Sequence, residues 1–393
     1  MYEEMLQEMS SPSVRPAKSK ETVGEDQYKK RCAFRFGHIG LGQAGGNLAS
    51  VAYMLGARKL FLVNTAEADT NSIKIDDIPK VLVGKDGTAK NRKEGRDSAL
   101  KKRTEIFNAM ERVFDDKVDK IMIYLSLGGG TGSGAGPEVI KMAQEYVRER
   151  GGDPACDVLV TTIIPQKTID SDYVCFNALQ AYGEISRLGV PYITLDNTKL
   201  IKHHKPMVRN YWGRMNYWTI DTLLNFNFYA AMSSEIGNFD PREFNDVLSQ
   251  GRFMYTMFKV PIGGNRYDIG DELNAHLEQS VFADTDLESA KKGACILALN
   301  QDTIDEDKLE MVTSAFAKLN QKMRKGSTLH YGMYIEPFGQ PSPGEEPSDL
   351  YGYVMLGGLD HPMPTLESLY EKARSCKEAE NYGSISVFLE AQD

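Results

Sequence analysis

Seven residues, Gly128-Gly129-Gly130-Thr131-Gly132-Ser133-Gly134, constrain what this chain can fold into more than any other stretch. They follow Ile121-Met122-Ile123-Tyr124-Leu125, a short apolar run that reads as a buried strand. Behind them Pro137 stands where the first turn of a helix accepts a proline. Glu138 to Glu149 then carries Val139, Ile140, Met142, Ala143 and Val147 on one face. Strand, glycine loop and helix in that order make a holder for phosphate. Glycine lets the backbone approach an anion, Thr131 and Ser133 add hydroxyl donors, and the helix start offers free N–H groups and a positive dipole end. A linker can be as rich in glycine, but it is not clasped between a buried strand and a capped helix.

A length of 393 residues predicts two domains, and the net charge of −9 argues against a general nucleic-acid surface. Cys32, Cys156, Cys175, Cys295 and Cys376 are scattered, odd in number and without metal-ligand spacing, which suits a reducing cytoplasm. No apolar run is long enough for a membrane span, and the N-terminus lacks the apolar core of a signal peptide. The expectation is a soluble cytoplasmic protein with no membrane insertion and no direct nucleic-acid contact.

Residues 1–31 read as a mobile tail. From there a strand (Ala33 to Ile39) enters Gly40-Leu41-Gly42-Gln43-Ala44-Gly45, a Gly-x-Gly-x-x-Gly spacing in strand-to-helix context, followed by a helix through Leu48, Val51, Ala52 and Leu55. Leu60 to Val63 is a strand ending in Asn64-Thr65-Ala66-Glu67-Ala68-Asp69, and Val81 to Val83 a strand leading to the polar loop Gly84 to Asn91. Val158 to Ile164 and Tyr192 to Leu195 complete six strands alternating with helices, the pattern of a doubly wound parallel sheet whose ligands sit beyond the strands' carboxyl ends. Lys202-His203-His204-Lys205 reads as a solvated turn. Met207 to Glu235 reads as one central helix of about 43 Å, apolar all round and so buried between two bodies. Further on, Gly293 to Leu299, Leu329 to Ile335, Tyr351 to Leu356 and Ser384 to Leu389 read as strands. Asp305 to Lys325 and Glu367 to Glu380 read as helices, and the proline-rich segment Phe338 to Asp349 as a loop.

Together these loops resemble the tubulin/FtsZ superfamily of GTPases. Gly128 to Gly134 resembles its signature loop in the tubulin-like spelling with Ser133, and Gly42-Gln43-Ala44-Gly45 resembles its first phosphate loop. The resemblance implies an α/β fold: a doubly wound parallel-sheet GTPase domain (32–206), a connecting helix (207–236) and a smaller α+β domain (237–393). It also implies GTP/GDP and Mg²⁺ as cofactors. Gly42, Gln43, Ala44 and Asn47 would contact phosphates and base; Thr65 and Ala66 belong to the second loop, where FtsZ has Asp in place of Ala66. The spelling Asn64 to Asp69 is closer to archaeal CetZ and plasmid TubZ, with Glu67 or Asp69 facing the metal. Gly87, Thr88, Ala89 and Lys90 would sense the γ-phosphate, in a loop shorter than that of FtsZ. Asp170 lies near the ribose-holding acid, although the arginine expected four residues on is Val174. Asn197 matches the guanine-reading Asn.

Tyr217 and Asp221 stand one helical turn apart, the spacing for an aromatic stacked on a base and a carboxylate accepting from guanine N1–H and N2–H₂. Plain core and surface roles fit the same two residues, and Asn225 is a rival. Asn238-Phe239-Asp240-Pro241-Arg242-Glu243 resembles the catalytic loop that enters the next subunit's pocket. There Asp240 and Glu243 would polarise water and Asn238 position the loop; Asp240 also reads as the N-cap of the helix begun by Pro241.

The expected function is a GTPase that polymerises head to tail and hydrolyses GTP at the subunit interface, its partners being further copies of itself and an adaptor protein. Two rivals are weighed: a GTP-binding scaffold that does not polymerise, and an NAD-dependent oxidoreductase. The second leaves Gly128 to Gly134 unexplained. A P-loop NTPase is excluded because no Gly-x-x-x-x-Gly-Lys-Ser/Thr occurs. The chain ends at Asp393 without the long linker and adaptor peptide of division-ring FtsZ, which turns the expected role toward DNA or cargo positioning or cell shape.

Overall fold

The six apolar runs of the first half pair in one parallel sheet in the order β3-β2-β1-β4-β5-β6. They are β1 (Phe36–Leu41), β2 (Leu60–Asn64), β3 (Lys80–Leu82), β4 (Lys120–Ser126), β5 (Val158–Ile164) and β6 (Tyr192–Asp196). The computed structural model describes residues 32–115, 117–199, 211–261, 268–302, 306–336 and 348–390. The expected tail, the Lys202 to Lys205 cluster, the first residues of the central helix and most of the proline-rich loop lie outside the described residues. Among the described residues no helix is long and apolar enough to cross a membrane.

Both faces of this sheet are covered, which is why its strands are continuously apolar. Alternate residues of β4 feed two cores. Ile121, Ile123 and Leu125 join Val139, Ile140 and Leu179 on one side. Met122 and Tyr124 join Leu224, Phe226, Ile296 and Met355 on the other. The first core is roofed by α3 (Arg92–Lys101), α4 (Arg103–Phe114), α5 (Gly136–Glu149) and α6 (Asp172–Ser186). The second contains α1 (Gly42–Met54) and the central helix α7 (Tyr211–Tyr229), and runs without a break into a second sheet. A short helix, α2 (Glu67–Ser72), follows β2.

The second sheet comprises β7 (Ile236–Gly237), β8 (Phe253–Pro261), β9 (Lys292–Asn300), β10 (Thr328–Glu336) and β11 (Ser348–Gly357), in the order β7-β10-β9-β11-β8. Only β9 and β10 run parallel. Around it lie α8 (Pro241–Leu248), α9 (Ile269–Glu278) and α10 (Glu306–Lys322). Then α11 (Met363–Ala373) and α12 (Ser386–Leu389) return to pack on α6. The elements α2, α6, β7, β8 and α9 come in addition to those expected.

Several boundaries differ from the sequence reading, each for a local reason. β1 begins at Phe36, because Ala33 and Phe34 bond instead to Asn227 of α7 (2.9 and 2.8 Å) and Arg35 pairs with Asp119. The central helix ends at Tyr229 and not at Glu235. Its last carbonyls take tight i→i+3 bonds from Ala231 and Met232, and Glu235 N–H then donates to Met333 O at 2.7 Å, starting the pairing of β7 with β10. The helix expected to reach Lys325 stops at Lys322. The one expected over Glu367 to Glu380 runs from Met363 to Ala373, with Pro364 in its first turn. Ser384 to Leu389 is not a strand. Phe388 stacks on Tyr382 at 4.4 Å, meets Phe176 edge-on, and its carbonyl accepts from Arg187, so the run coils over α6 instead of joining a sheet. A short apolar run carries no period that separates these outcomes.

Candidate nucleotide site

Strand order reverses between β1 and β4, and the register puts Leu41 beside both Val63 and Leu125, so three carboxyl ends lie level at the switch point. That is where a doubly wound sheet opens a crevice. Four of the singled-out loops meet there.

The first leaves β1 through Gly42, whose φ of +65° a side chain resists, and enters α1 with no side-chain cap. An uncapped start leaves the task of meeting first-turn N–H groups to an anion or water. Gln43 is exposed; Ala44 and Asn47 are half-buried. An ideal Cβ on Gly42 would lie 3.4 Å from Thr131 of the glycine loop, so the two loops touch.

The glycine loop itself coils as a π-turn over Thr131–Ala135 and passes into α5 with Pro137 in the first turn. Close approach, not positive φ, explains Gly130: an added Cβ would overlap the Thr88 hydroxyl of the third loop. Gly128, Gly132 and Gly134 lie equally close against Val174, Ser126 and Arg92. Gly129 has only the Ser126 hydroxyl, at 3.5 Å, near its open side. The two expected hydroxyl donors part company. Ser133 is buried and donates to Gly129 O within the loop, while the Thr131 hydroxyl meets that of Thr65 at 2.5 Å.

The second and third loops lock onto this pair. Ala66 N–H donates to Asn64 Oδ1 (3.2 Å), and Gly87 N–H to Thr65 O (3.0 Å). Gly87, Ala89 and Lys90 all have positive φ (81°, 44° and 69°), with Thr88 buried among them. Two successive non-glycine residues in that region store strain, which persists only where neighbours impose it. The imposing neighbour is Asn177 of α6, whose amide donates to Lys90 O at 2.8 Å and to Gly128 O at 3.4 Å. Arg92 backs the same loop. Buried, it donates to Ser133 O (3.1 Å), Gln180 (2.9 Å) and Glu184 (2.9 Å). Burial lowers its pKa, against the pull of Glu184. Neither Asn177 nor Arg92 is among the residues expected above.

Glu67 and Asp69 occupy the first turn of α2, one exposed and one half-exposed, beside Thr65. No group of three or more His, Cys, Asp or Glu among the described residues gathers to hold a metal. These residues therefore fit a cation only as Mg²⁺ is commonly held, by one or two carboxylates with phosphate oxygens completing the shell.

The residues expected around ribose and base sit on three further elements. Asp170 closes its own turn, accepting from Gln166 N–H at 2.8 Å. Asn197 is half-buried where the chain turns helical directly after β6. On α7 Tyr217 is half-buried, and buried Asp221 accepts from Asn225 Nδ2 at 3.0 Å, so the supposed rival is its hydrogen-bond partner.

The loop expected to be catalytic lies at the start of α8. Asp240 is the N-cap, accepting from Arg242 and Glu243 N–H at 2.8 and 2.9 Å, and Asn238 is exposed beside it. Glu243 does not reach back to complete a capping box. Its Oε1 lies 3.2 Å from His330 Nδ1 on β10, and its Oε2 is buried with no hydrogen-bond partner.

Residues 36–205 match the Tubulin/FtsZ family, GTPase domain. The tubulin-like protein TubZ of Bacillus cereus is 27% identical over 293 residues, which is 67% of this chain and 65% of that protein, just under two thirds of its length. The tubulin-like protein CetZ2 of Haloferax volcanii is 32% identical over 115 residues, 26% of this chain and 31% of that protein. Among solved structures, a GTPγS-form protofilament of TubZ from Bacillus thuringiensis serovar israelensis has the same fold: TM-score 0.71, 20% identity, 95% of this chain and 98% of that one. A GTPγS-bound protofilament of CetZ2 from H. volcanii matches at TM-score 0.68 and 20% identity, over 88% of this chain and all of that one.

Proposed function

We propose, on the match of residues 36–205 to the Tubulin/FtsZ family, GTPase domain, that the chain binds GTP in the crevice between β1 and β4, polymerises head to tail and hydrolyses GTP between subunits. The observation that carries this reading is the convergence of four loops, around Gly42, Thr65, Thr88 and Gly128 to Gly134, on one switch point. In this reading the glycine loop and the start of α1 hold the phosphates, and the strained third loop, pinned by Asn177, responds to the γ-phosphate. Asn197, Tyr217 and Asp221 read the base and Asp170 the ribose. Bound Mg²⁺ would neutralise phosphate charge, with Glu67 or Asp69 as its protein ligand.

Asp240 and Glu243 act on a neighbour's nucleotide, Asp240 orienting the loop it caps and Glu243 polarising water, with Asn238 steadying the tip. Phosphoryl transfer asks chiefly for positioning and charge management, which a loop delivered from outside can supply. Titration with a labelled GTP beside phosphate release at rising protein concentration tests the proposal. Glu243→Ala is expected to bind GTP normally and to lose most turnover; unaltered turnover would overturn the assignment. Turnover that does not rise cooperatively with concentration would favour a scaffold that does not assemble. The net charge of −9 fits cargo or DNA held through an adaptor rather than directly, in DNA positioning or cell-shape work.

A further inference from the structure

The helix that carries Glu243 holds a second acid one turn on, Asp246, and a single histidine of the second sheet stands between them. His330 of β10 places Nδ1 3.2 Å from Glu243 Oε1 and Nε2 2.9 Å from Asp246 Oδ2. Lys292 of β9 also meets Asp246, at 2.9 Å, and Tyr334, two strand repeats along β10, turns its hydroxyl to Tyr229 O at 3.0 Å. Among the described residues Glu243 and Asp246 on α8 and Lys292 on β9 are thus the ionisable groups around the imidazole, with Tyr334 lying beyond Glu243.

Burial works to raise the Asp246 carboxyl, but donors from His330 and Lys292 hold it below its ordinary value, so it remains an acceptor. The Nε2–H therefore belongs to Asp246. Nδ1 faces Glu243 as part of a cation only when the ring carries both protons, because a neutral imidazole has one N–H and one lone pair. The hold on Glu243 exists in the charged ring and disappears in the neutral one. The other carboxylate oxygen, buried and without a hydrogen-bond partner among the described residues, is costly where it lies.

We infer that His330 is a positioning residue that retracts Glu243 onto its own subunit and releases it to the neighbour's nucleotide when the ring loses its charge; this rests on Glu243 serving that nucleotide. Phosphate release by the full chain with GTP and Mg²⁺, measured over a window from mildly acidic to mildly alkaline buffer, tests it. Wild-type turnover is expected to climb across this window. His330→Ala should be nearly flat, exceeding wild type by roughly fivefold at the acid end and equalling it at the other. His330→Lys, which keeps a cation, should stay low throughout, and both should bind labelled GTP like wild type.

A structural role alone would move the two variants together. If His330→Ala does not fold, His330→Leu is a substitute without charge or N–H donor and with the same expected profile. His330→Ala with the wild-type pH dependence, or His330→Lys tracking His330→Ala, would overturn the inference. Glu243→Gln separates the two levels: an active Glu243→Gln overturns the parent reading and this inference together, whereas an inactive one beside an unchanged His330→Ala profile removes this inference alone.

Discussion

At the scale of single residues the site is built from close approaches that tolerate no extra atom. Gly130→Ala would drive a Cβ into the Thr88 hydroxyl, so labelled-GTP affinity should fall by at least roughly tenfold, about 1.4 kcal/mol, while the fold survives. Gly130→Ala combined with Thr88→Gly should recover part of it; equal loss in both would show that crowding is not the cause. A second prediction concerns His38, buried in β1 against the Tyr124 hydroxyl at 2.8 Å and pushed down to about 4 by burial. Its folded pKa lies below the ordinary value of 6.5, so the unfolded chain binds the extra proton first and stability falls as pH drops from about 6.5 toward 4. The loss should approach roughly 3 kcal/mol, and His38→Gln should flatten that part of a denaturant-midpoint profile.

The meeting of the glycine loops at the sheet's carboxyl edge was legible at this scale, because glycines spaced between a strand and a helix mark such a turn. Asn177 and Arg92 were not legible. Their partners lie 87 and 49 positions away for Asn177, and 41 and more for Arg92, and no local pattern reports such pairs. The inward turn of Ser133 is equally invisible in sequence, since its hydroxyl could serve a phosphate or its own loop.

At the scale of elements, the helix bearing Glu243 is fixed to the first sheet by one buried lysine. Lys120, at the start of β4, donates to Cys156 O (2.9 Å), Asp157 (3.0 Å) and Asn245 of α8 (2.6 Å), and lies 4.7 Å over the Phe34 ring. Lys120→Met removes the cation and leaves Asp157 and Asn245 without it. It should cost about 3 kcal/mol in urea unfolding and lower turnover more than GTP affinity, because α8 loses its anchor while the crevice keeps its loops. Unchanged turnover in a destabilised variant would confine Lys120 to stability. The parallel strands were readable because burial on both faces makes them apolar throughout, as in β4 and β5. The central helix was readable too, but not its end, since Met232 and Ile236 continue the apolar pattern past Tyr229 into a turn and a strand edge. The last apolar run misled because its partner is a helix face, supplied by α6, rather than a neighbouring strand.

At the scale of the whole molecule, one core runs from the first sheet through α7 into the second sheet, so the crevice and the Glu243 loop belong to a single packed body. A head-to-tail contact repeats the same pair of surfaces at every junction, and catalysis shared across it needs each copy only to give one acid and receive another. Two variants, assayed at a GTP concentration that fills the wild-type crevice but not the weakened one, test that directly. Glu243→Gln keeps the nucleotide crevice and lacks the acid; Gly130→Ala keeps the acid and leaves its crevice largely empty at that concentration. Mixed in equal amounts and assayed for phosphate release, they should recover turnover that neither has, reaching up to about a quarter of wild type if junctions form at random. A mixture as inactive as its parts, under conditions where both copies enter the same assemblies, would contradict a reaction divided between neighbouring subunits.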